Sequence, residues 1–190
     1  MSGMDRRDAV ATLLAGRRDL VVVTGLGSPS YDAFAAGDDV RNFYLWGAMG
    51  GAVPMALGLA LARKDVPVLA LTGDGEMLMG LGSLATAAAK RPPNLTVAVL
   101  DNGHYGETGM QASHTGKGVD LEGVAKAAGF GWTATATALA AVEAVVPHLE
   151  ARQGLGFVRL VVAAGEAPRR LPSRDGHWLK RRVRTALGVD

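Results

Sequence analysis

Two stretches decide the fold: Pro67-Val68-Leu69-Ala70-Leu71-Thr72-Gly73-Asp74-Gly75 and Leu95-Thr96-Val97-Ala98-Val99-Leu100-Asp101-Asn102-Gly103. Each is a short aliphatic and β-branched run that stops at Gly, Asp or Asn, so each predicts a buried strand followed by a tight turn. The residues between them predict a helix over 77–90, rich in small side chains and stopped by Arg91-Pro92-Pro93-Asn94. Strand, helix and strand in that order make a βαβ unit with parallel strands. Both turns then lie at one edge of the sheet, where open α/β sheets bind their ligands. Asp74 and Asn102, about 28 residues apart in the chain, are expected to face each other across one crevice.

A carboxylate and an amide oxygen are hard ligands suited to Mg²⁺, which fills the rest of its shell with phosphate oxygens and water. Gly73 and Gly75 allow the backbone to approach those phosphates, and a helix starting near Glu76 would point free N–H groups at them. Asp-Gly by itself is an ordinary turn. The signal lies in its pairing with Asn102-Gly103-His104-Tyr105-Gly106 after the next strand.

These residues resemble the thiamine diphosphate motif of 2-oxo acid decarboxylases and their relatives. The likeness is strongest to the cofactor-binding half of sulfopyruvate and phosphonopyruvate decarboxylases. Asn42-Phe43-Tyr44, Gly47-Ala48-Met49-Gly50 and Gly82-Ser83-Leu84-Ala85-Thr86 are similar to those enzymes too, and the likeness covers roughly residues 5 to 165. It implies the thiamine diphosphate-binding fold, with thiamine diphosphate and Mg²⁺ as cofactors. It implies Asp74, Asn102 and the backbone carbonyl of His104 as metal ligands, with Gly73, Gly75, Tyr105 and Gly106 around the cofactor; Glu76 is a cofactor-side candidate too, at a position where relatives often have a small hydroxyl residue or alanine. Met49 would be wedged under the bent cofactor, and the Gly47 carbonyl would meet its aminopyrimidine.

The resemblance further implies that the glutamate acting on the pyrimidine N1′ comes from a separate pyrimidine-binding (PYR) domain of similar size. No catalytic residue is then expected in this chain. The expected function is the cofactor-binding subunit of a two-component, non-oxidative 2-oxo acid decarboxylase that releases an aldehyde, most simply an α2β2 assembly. Carboligation of the acetolactate synthase type, oxidative acyl transfer and a binding-only subunit remain open, as does the identity of the 2-oxo acid.

Taken in order, residues 5–16 predict a helix ending at Gly16, and residues 19–24 a strand with three consecutive valines. In the family the loop that follows touches the diphosphate, which makes Thr24, Gly25 and Ser28 candidates. The same loop also reads as a plain strand-to-helix turn with Ser28 or Ser30 as N-cap. Residues 42–46 predict a strand, and residues 52–63 an almost wholly apolar helix that should be buried on most of its surface. Met49 reads as core filling or as the wedge. Glu76, a carboxylate beside a diphosphate, must point away, bind a cation, or be a solvated acid at a helix N-terminus.

Residues 107–118 form a long polar, glycine-rich connection, and such loops are often lids. Glu107, Gln111 and His114 are the substrate-side candidates there, and His114 also reads as a solvated surface group. Asp120 is expected to cap a helix to Ala128. A strand over 131–136, a helix over 139–152 kinked at Pro147 and a last strand over 157–162 complete the pattern. Six strands alternating with helices predict an α/β fold with a doubly wound, mainly parallel sheet.

The composition fits one domain: 190 residues, 48% hydrophobic, net charge +2. The absence of cysteine removes disulfides, thiol chemistry and iron–sulfur ligation by this chain. No signal peptide or long apolar run appears, so a cytoplasmic protein with no membrane partner is expected. We divide the chain into a thiamine diphosphate-binding domain over 1–167 and a basic tail over 168–190. The tail reads as a solvated helix or an arm on a neighbouring subunit, and nucleic acid is not an expected partner.

Overall fold

The computed structural model describes residues 3–189. It contains β1 (Val21–Thr24), β2 (Asn42–Tyr44), β3 (Val68–Gly73), β4 (Leu95–Asp101), β5 (His104–Tyr105), β6 (Gln111–Ala112), β7 (Trp132–Ala136) and β8 (Gly156–Val161). The helices are α1 (Arg6–Leu14), α2 (Ser28–Ala35), α3 (Ala52–Ala62), α4 (Asp74–Met79), α5 (Gly82–Lys90), α6 (Leu121–Ala128), α7 (Leu139–Ala151) and α8 (Gly176–Ala186). Six strands make one sheet in the order β2-β1-β3-β4-β8-β7, every neighbouring pair parallel. The predicted doubly wound sheet is therefore present.

Strand alternation divides the core between the two faces of the sheet. Val22, Leu69, Leu71, Ala98, Leu100, Val158 and Leu160 pack under α1, α2 and α7. Val23, Val68, Ala70, Val97, Val99 and Phe157 pack under α3, α5 and α6. With both faces covered, the central strands need no polar face, which is why they read as unbroken aliphatic runs. After β1 the chain crosses outward to β2 and then returns to the other side of β1 to form β3. The sheet thus has its topological switch between β1 and β3. In register, Thr24 lies beside Leu71 and Gly73 beside Leu100, so the loops after β1, β3 and β4 emerge together.

Several expectations need correction. The helix expected over 77–90 is two helices, because the chain breaks at Gly80-Leu81. There Gly80 packs on Gly50 so closely that a Cβ on Gly80 would lie 2.5 Å from the Gly50 carbonyl oxygen. The break thus lies against a loop some 30 residues earlier. Helix α4 begins at Asp74, three residues before the start expected at 77. Helix α3 buries Val53, Ala56, Leu57 and Ala60 but leaves Met55 40% and Leu61 38% exposed, so one apolar stripe is uncovered. Asp120 occupies the N-cap position of α6, but its side chain makes no capping bond.

The segment 107–118 is structured. Strands β5 and β6 form a small antiparallel hairpin, and single 3₁₀ turns follow each of them. The basic tail folds back on its own chain. Leu179 and Val183 of α8 are buried. Arg182 lies over Trp178, donates to the backbone carbonyl of Asn42 on β2 at 2.8 Å and pairs with Asp38 at 2.6 Å. Among the described residues no helix is long and apolar enough to cross a membrane.

Candidate cofactor site

At the carboxyl edge of the sheet lies a cavity of about 370 Å³. Its walls come from the loops after β1, β3 and β4, the Gly47–Gly51 turn and the β5–β6 hairpin. Of the residues singled out from sequence, Ser28, Met49, Gly73, Asp74, Gly75, Glu76, Asn102, His104, Tyr105, Gly106, Glu107 and Gln111 line it. Asp74 and Asn102 are brought to one crevice, as expected from strands of equal register. Leu26, Pro29, Met79, Leu100 and Val162 add apolar wall, and Met49 and Met79 stay 44% and 58% exposed.

Asp74 sits at the first position of α4 and is 2% exposed. Its Oδ2 accepts from the Ser113 hydroxyl at 2.5 Å and the Thr115 hydroxyl at 3.0 Å. Asp74 makes no ion pair among the described residues. Burial pushes its carboxyl above the usual range. The Ser113 hydroxyl opposes that rise, and the nearby Asp101 carboxylate adds to it. Asp101, at the end of β4, is held by Arg159 of β8 at 2.6 Å and accepts from Thr115 at 2.7 Å.

Asn102 is fixed by a local turn: its Oδ1 accepts from the His104 N–H at 2.9 Å. The His104 ring folds back onto the Asn102 carbonyl, with Nδ1 at 2.8 Å. The His104 ring is therefore engaged locally through Nδ1. Gly75 is required by packing, since a Cβ there would lie 2.6 Å from the Tyr105 ring. Gly73 is different: the nearest atom to its Cβ position is the Leu100 carbonyl oxygen at 4.0 Å, so the space beside it is open.

Glu76 is 3% exposed, which sets aside the reading as a solvated helix acid. Thr72 donates to its Oε2 at 2.9 Å, and backbone amides of Ala52, Gly50 and Leu26 face the carboxylate. Its Oε1 has no hydrogen-bond partner among the described residues. Burial raises this carboxyl too, against the Thr72 hydroxyl. Gly25 closes against it, since a Cβ there would fall 1.7 Å from Oε2. Glu76 thus joins the loop after β1 to the start of α3, across the topological switch.

Thr24 is fully buried, its hydroxyl 2.6 Å from that of Ser30, which in turn donates to the Gly25 carbonyl. Thr24, Gly25 and Gly47 lie outside the cavity wall. The N-cap of α2 is Gly27, so neither Ser28 nor Ser30 takes that position. His114 also lies outside the wall, with Nδ1 3.4 Å from the Tyr105 hydroxyl. Sequence reasoning passed over Ser113, Thr115, Asp101 and Arg159. It also passed over Arg6, which reaches the wall from α1 while paired with the buried Asp32. The available signals were the position of Asp101 next to Asn102 and the place of Ser113 and Thr115 in the polar segment 107–118.

Residues 29–160 match the C-terminal TPP binding domain of thiamine pyrophosphate enzymes. The chain is 44% identical over 110 residues to a sulfopyruvate decarboxylase subunit beta of Methanocaldococcus jannaschii, covering 58% of each. It is 40% identical over 166 residues to a phosphonopyruvate decarboxylase of Streptomyces viridochromogenes, covering 80% of this chain and 41% of that protein. The chain therefore spans only about half the length of these relatives. A thiamine diphosphate-dependent 4-hydroxybenzoylformate decarboxylase of Rhodococcus jostii superposes with a TM-score of 0.71 over 88% of this chain and 34% of that one. At 22% identity this likeness speaks to the fold alone. By its matched residues and its sheet, the chain belongs to the thiamine pyrophosphate enzymes and carries their C-terminal cofactor-binding domain.

Proposed function

We propose that this chain is the cofactor-binding component of a two-component, Mg²⁺-dependent 2-oxo acid decarboxylase of the sulfopyruvate and phosphonopyruvate type. The observation that carries the reading is the meeting of Asp74 and Asn102 at the ends of β3 and β4, over a cavity with apolar Met49 on its wall. The donor set fits a magnesium diphosphate. A buried carboxylate without a cationic partner, an amide oxygen and a backbone carbonyl are hard oxygen ligands, and open space lies beside Gly73. Asp74, Asn102 and the His104 carbonyl would hold the cation. Gly73, Gly75 and the free N–H groups of the first turn of α4 would face the phosphates.

The cofactor, when bound, supplies the nucleophilic carbon and the electron sink for decarboxylation. The chain's own contribution is to bind and orient it. Met49 and Leu26 exclude water from the apolar half of the cavity, while Glu107, Thr108 and Gln111 of the hairpin border its polar mouth. The exposed apolar side chains Met49 and Met79 at the cavity, and Met55 and Leu61 on α3, support docking of a pyrimidine-binding partner. The relative named as a subunit beta supports a partner as well.

Calorimetry with thiamine diphosphate and Mg²⁺ tests the ligand set. Asp74→Ala should abolish binding and His104→Ala should spare it; unchanged affinity in Asp74→Ala would remove the metal assignment. Release of CO₂ and aldehyde from sulfopyruvate, phosphonopyruvate and pyruvate tests the reaction. The chain alone should be inactive, and addition of a pyrimidine-binding subunit should restore turnover. Full turnover without that subunit would overturn the split site.

A further inference from the structure

The hydroxyls of Ser113 and Thr115 lie 39 and 41 residues after Asp74 in the chain, yet both reach its carboxylate and both contact the same oxygen, Oδ2. Ser113 is fully buried and Thr115 is 8% exposed. Their oxygens are 2.8 Å apart, and Thr115 is also 2.7 Å from Asp101 Oδ1. Two hydroxyl hydrogens thus serve four oxygen–oxygen contacts, so Thr115 can donate to only one of the two carboxylates at a time. Arg159 neutralises Asp101, whereas among the described residues no cationic side chain pairs with Asp74. Both hydroxyl contacts are on Oδ2, and neither falls on Oδ1.

The backbone around these hydroxyls is tightly folded. The Ser113 N–H donates to the Gly103 carbonyl at 2.8 Å, and a Cβ on Gly116 would lie 2.5 Å from that same oxygen. The Lys117 and Val119 amides both return to the His114 carbonyl. Upstream, the hairpin tip carries the cavity-lining Glu107, Thr108 and Gln111, all exposed or half-exposed. The loop therefore has an exposed tip over the cavity mouth, where Arg169 of the tail pairs with Glu107 at 3.2 Å, and a buried foot resting on Asp74.

We infer that Ser113 and Thr115 are positioning residues that aim the Asp74 carboxylate, and that through them the order of the hairpin loop is coupled to cation binding. The inference rests on the reading of Asp74 as a Mg²⁺ ligand. By linkage, a cation that fixes Asp74 also fixes the foot of the loop, and a loop that loses its foot weakens the cation.

The test uses the full chain and its Ser113→Ala, Thr115→Val, Thr115→Ser and Asp74→Asn variants. Mg²⁺ affinity in the presence of thiamine diphosphate is read by calorimetry, and cleavage within residues 106–112 by limited proteolysis with and without the magnesium cofactor. Ser113→Ala and Thr115→Val should each weaken Mg²⁺ about tenfold and lose the protection that the cofactor gives the loop. Thr115→Ser, which keeps the hydroxyl, should recover both. Thr115→Val keeps the shape of the side chain, and Ser113→Ala removes one atom, so the second carries the test if the first is unstable. Wild-type affinity and wild-type loop protection in Ser113→Ala and Thr115→Val would overturn the inference. If Asp74→Asn also binds Mg²⁺ normally, the metal assignment itself fails; if it alone loses binding, only the positioning role fails.

Discussion

Asp74 and Glu76 are carboxyls that folding places where charge is unfavourable. Burial raises both above their ordinary range, so the folded chain holds these protons more tightly than the unfolded chain. Without cofactor, their effect is least harmful below the ordinary carboxylate range, and stability falls as pH rises from there through the raised values. Replacing Asp74 by Asn should therefore stabilise the cofactor-free chain at neutral pH by about 1 kcal/mol, a rise of roughly 2–4 °C in melting temperature, while cofactor binding is lost. The Asn and Glu76→Gln variants should each flatten the melting-temperature profile on the alkaline side of the ordinary carboxylate range. A steeper profile or an earlier melt in Asp74→Asn would show that the ionised carboxylate is stabilising, contrary to its burial. Protein function at this position is thus expected to oppose stability, as it does where a ligand completes a charge balance.

At the scale of elements, the two glycines at the contact between the Gly47–Gly51 turn and the end of α4 act as a spacer of minimum thickness. Gly80 has an ordinary negative φ, so Gly80→Ala is allowed by the backbone but collides with Gly50. It should cost about 1–3 kcal/mol, measured by denaturant titration, and displace Met49 and Met79 from the cavity wall. Gly58, in the exposed stripe of α3, has nothing near its Cβ position. Gly58→Ala should instead stabilise the isolated chain by about 0.5–1 kcal/mol. It should weaken assembly if that stripe receives a partner. The strands and the turns after β3 and β4 were legible because aliphatic runs and Gly, Asp and Asn stops are local signals. The helix break at Gly80 was not, since it lies against a residue on another loop. The hydroxyl support of Asp74 was hidden for the same reason: Ser113 and Thr115 look like ordinary polar loop residues until the hairpin folds their foot against α4. Glu76 was legible as an anomaly, and only the fold tells where its carboxylate goes.

At the scale of the whole molecule, the sheet ends at β2 on one side and β7 on the other. The tail crosses to the first of these edges in steps: Arg7 reaches the Pro168 carbonyl, Trp46 donates to the Ser173 carbonyl at 2.8 Å, and α8 then docks on β2. Removing residues 174–190 should leave the six-stranded sheet intact by circular dichroism, because no strand lies among the described residues of that segment. What changes is the edge. Arg182 occupies the Asn42 carbonyl, a backbone group that would otherwise be open to pairing with another chain. A truncated chain is therefore expected to scatter light and bind amyloid dyes at concentrations where the full chain stays monodisperse. Read this way, the C-terminal helix is a guard against self-templating: its arginine keeps the chain from becoming a seed for its own copies.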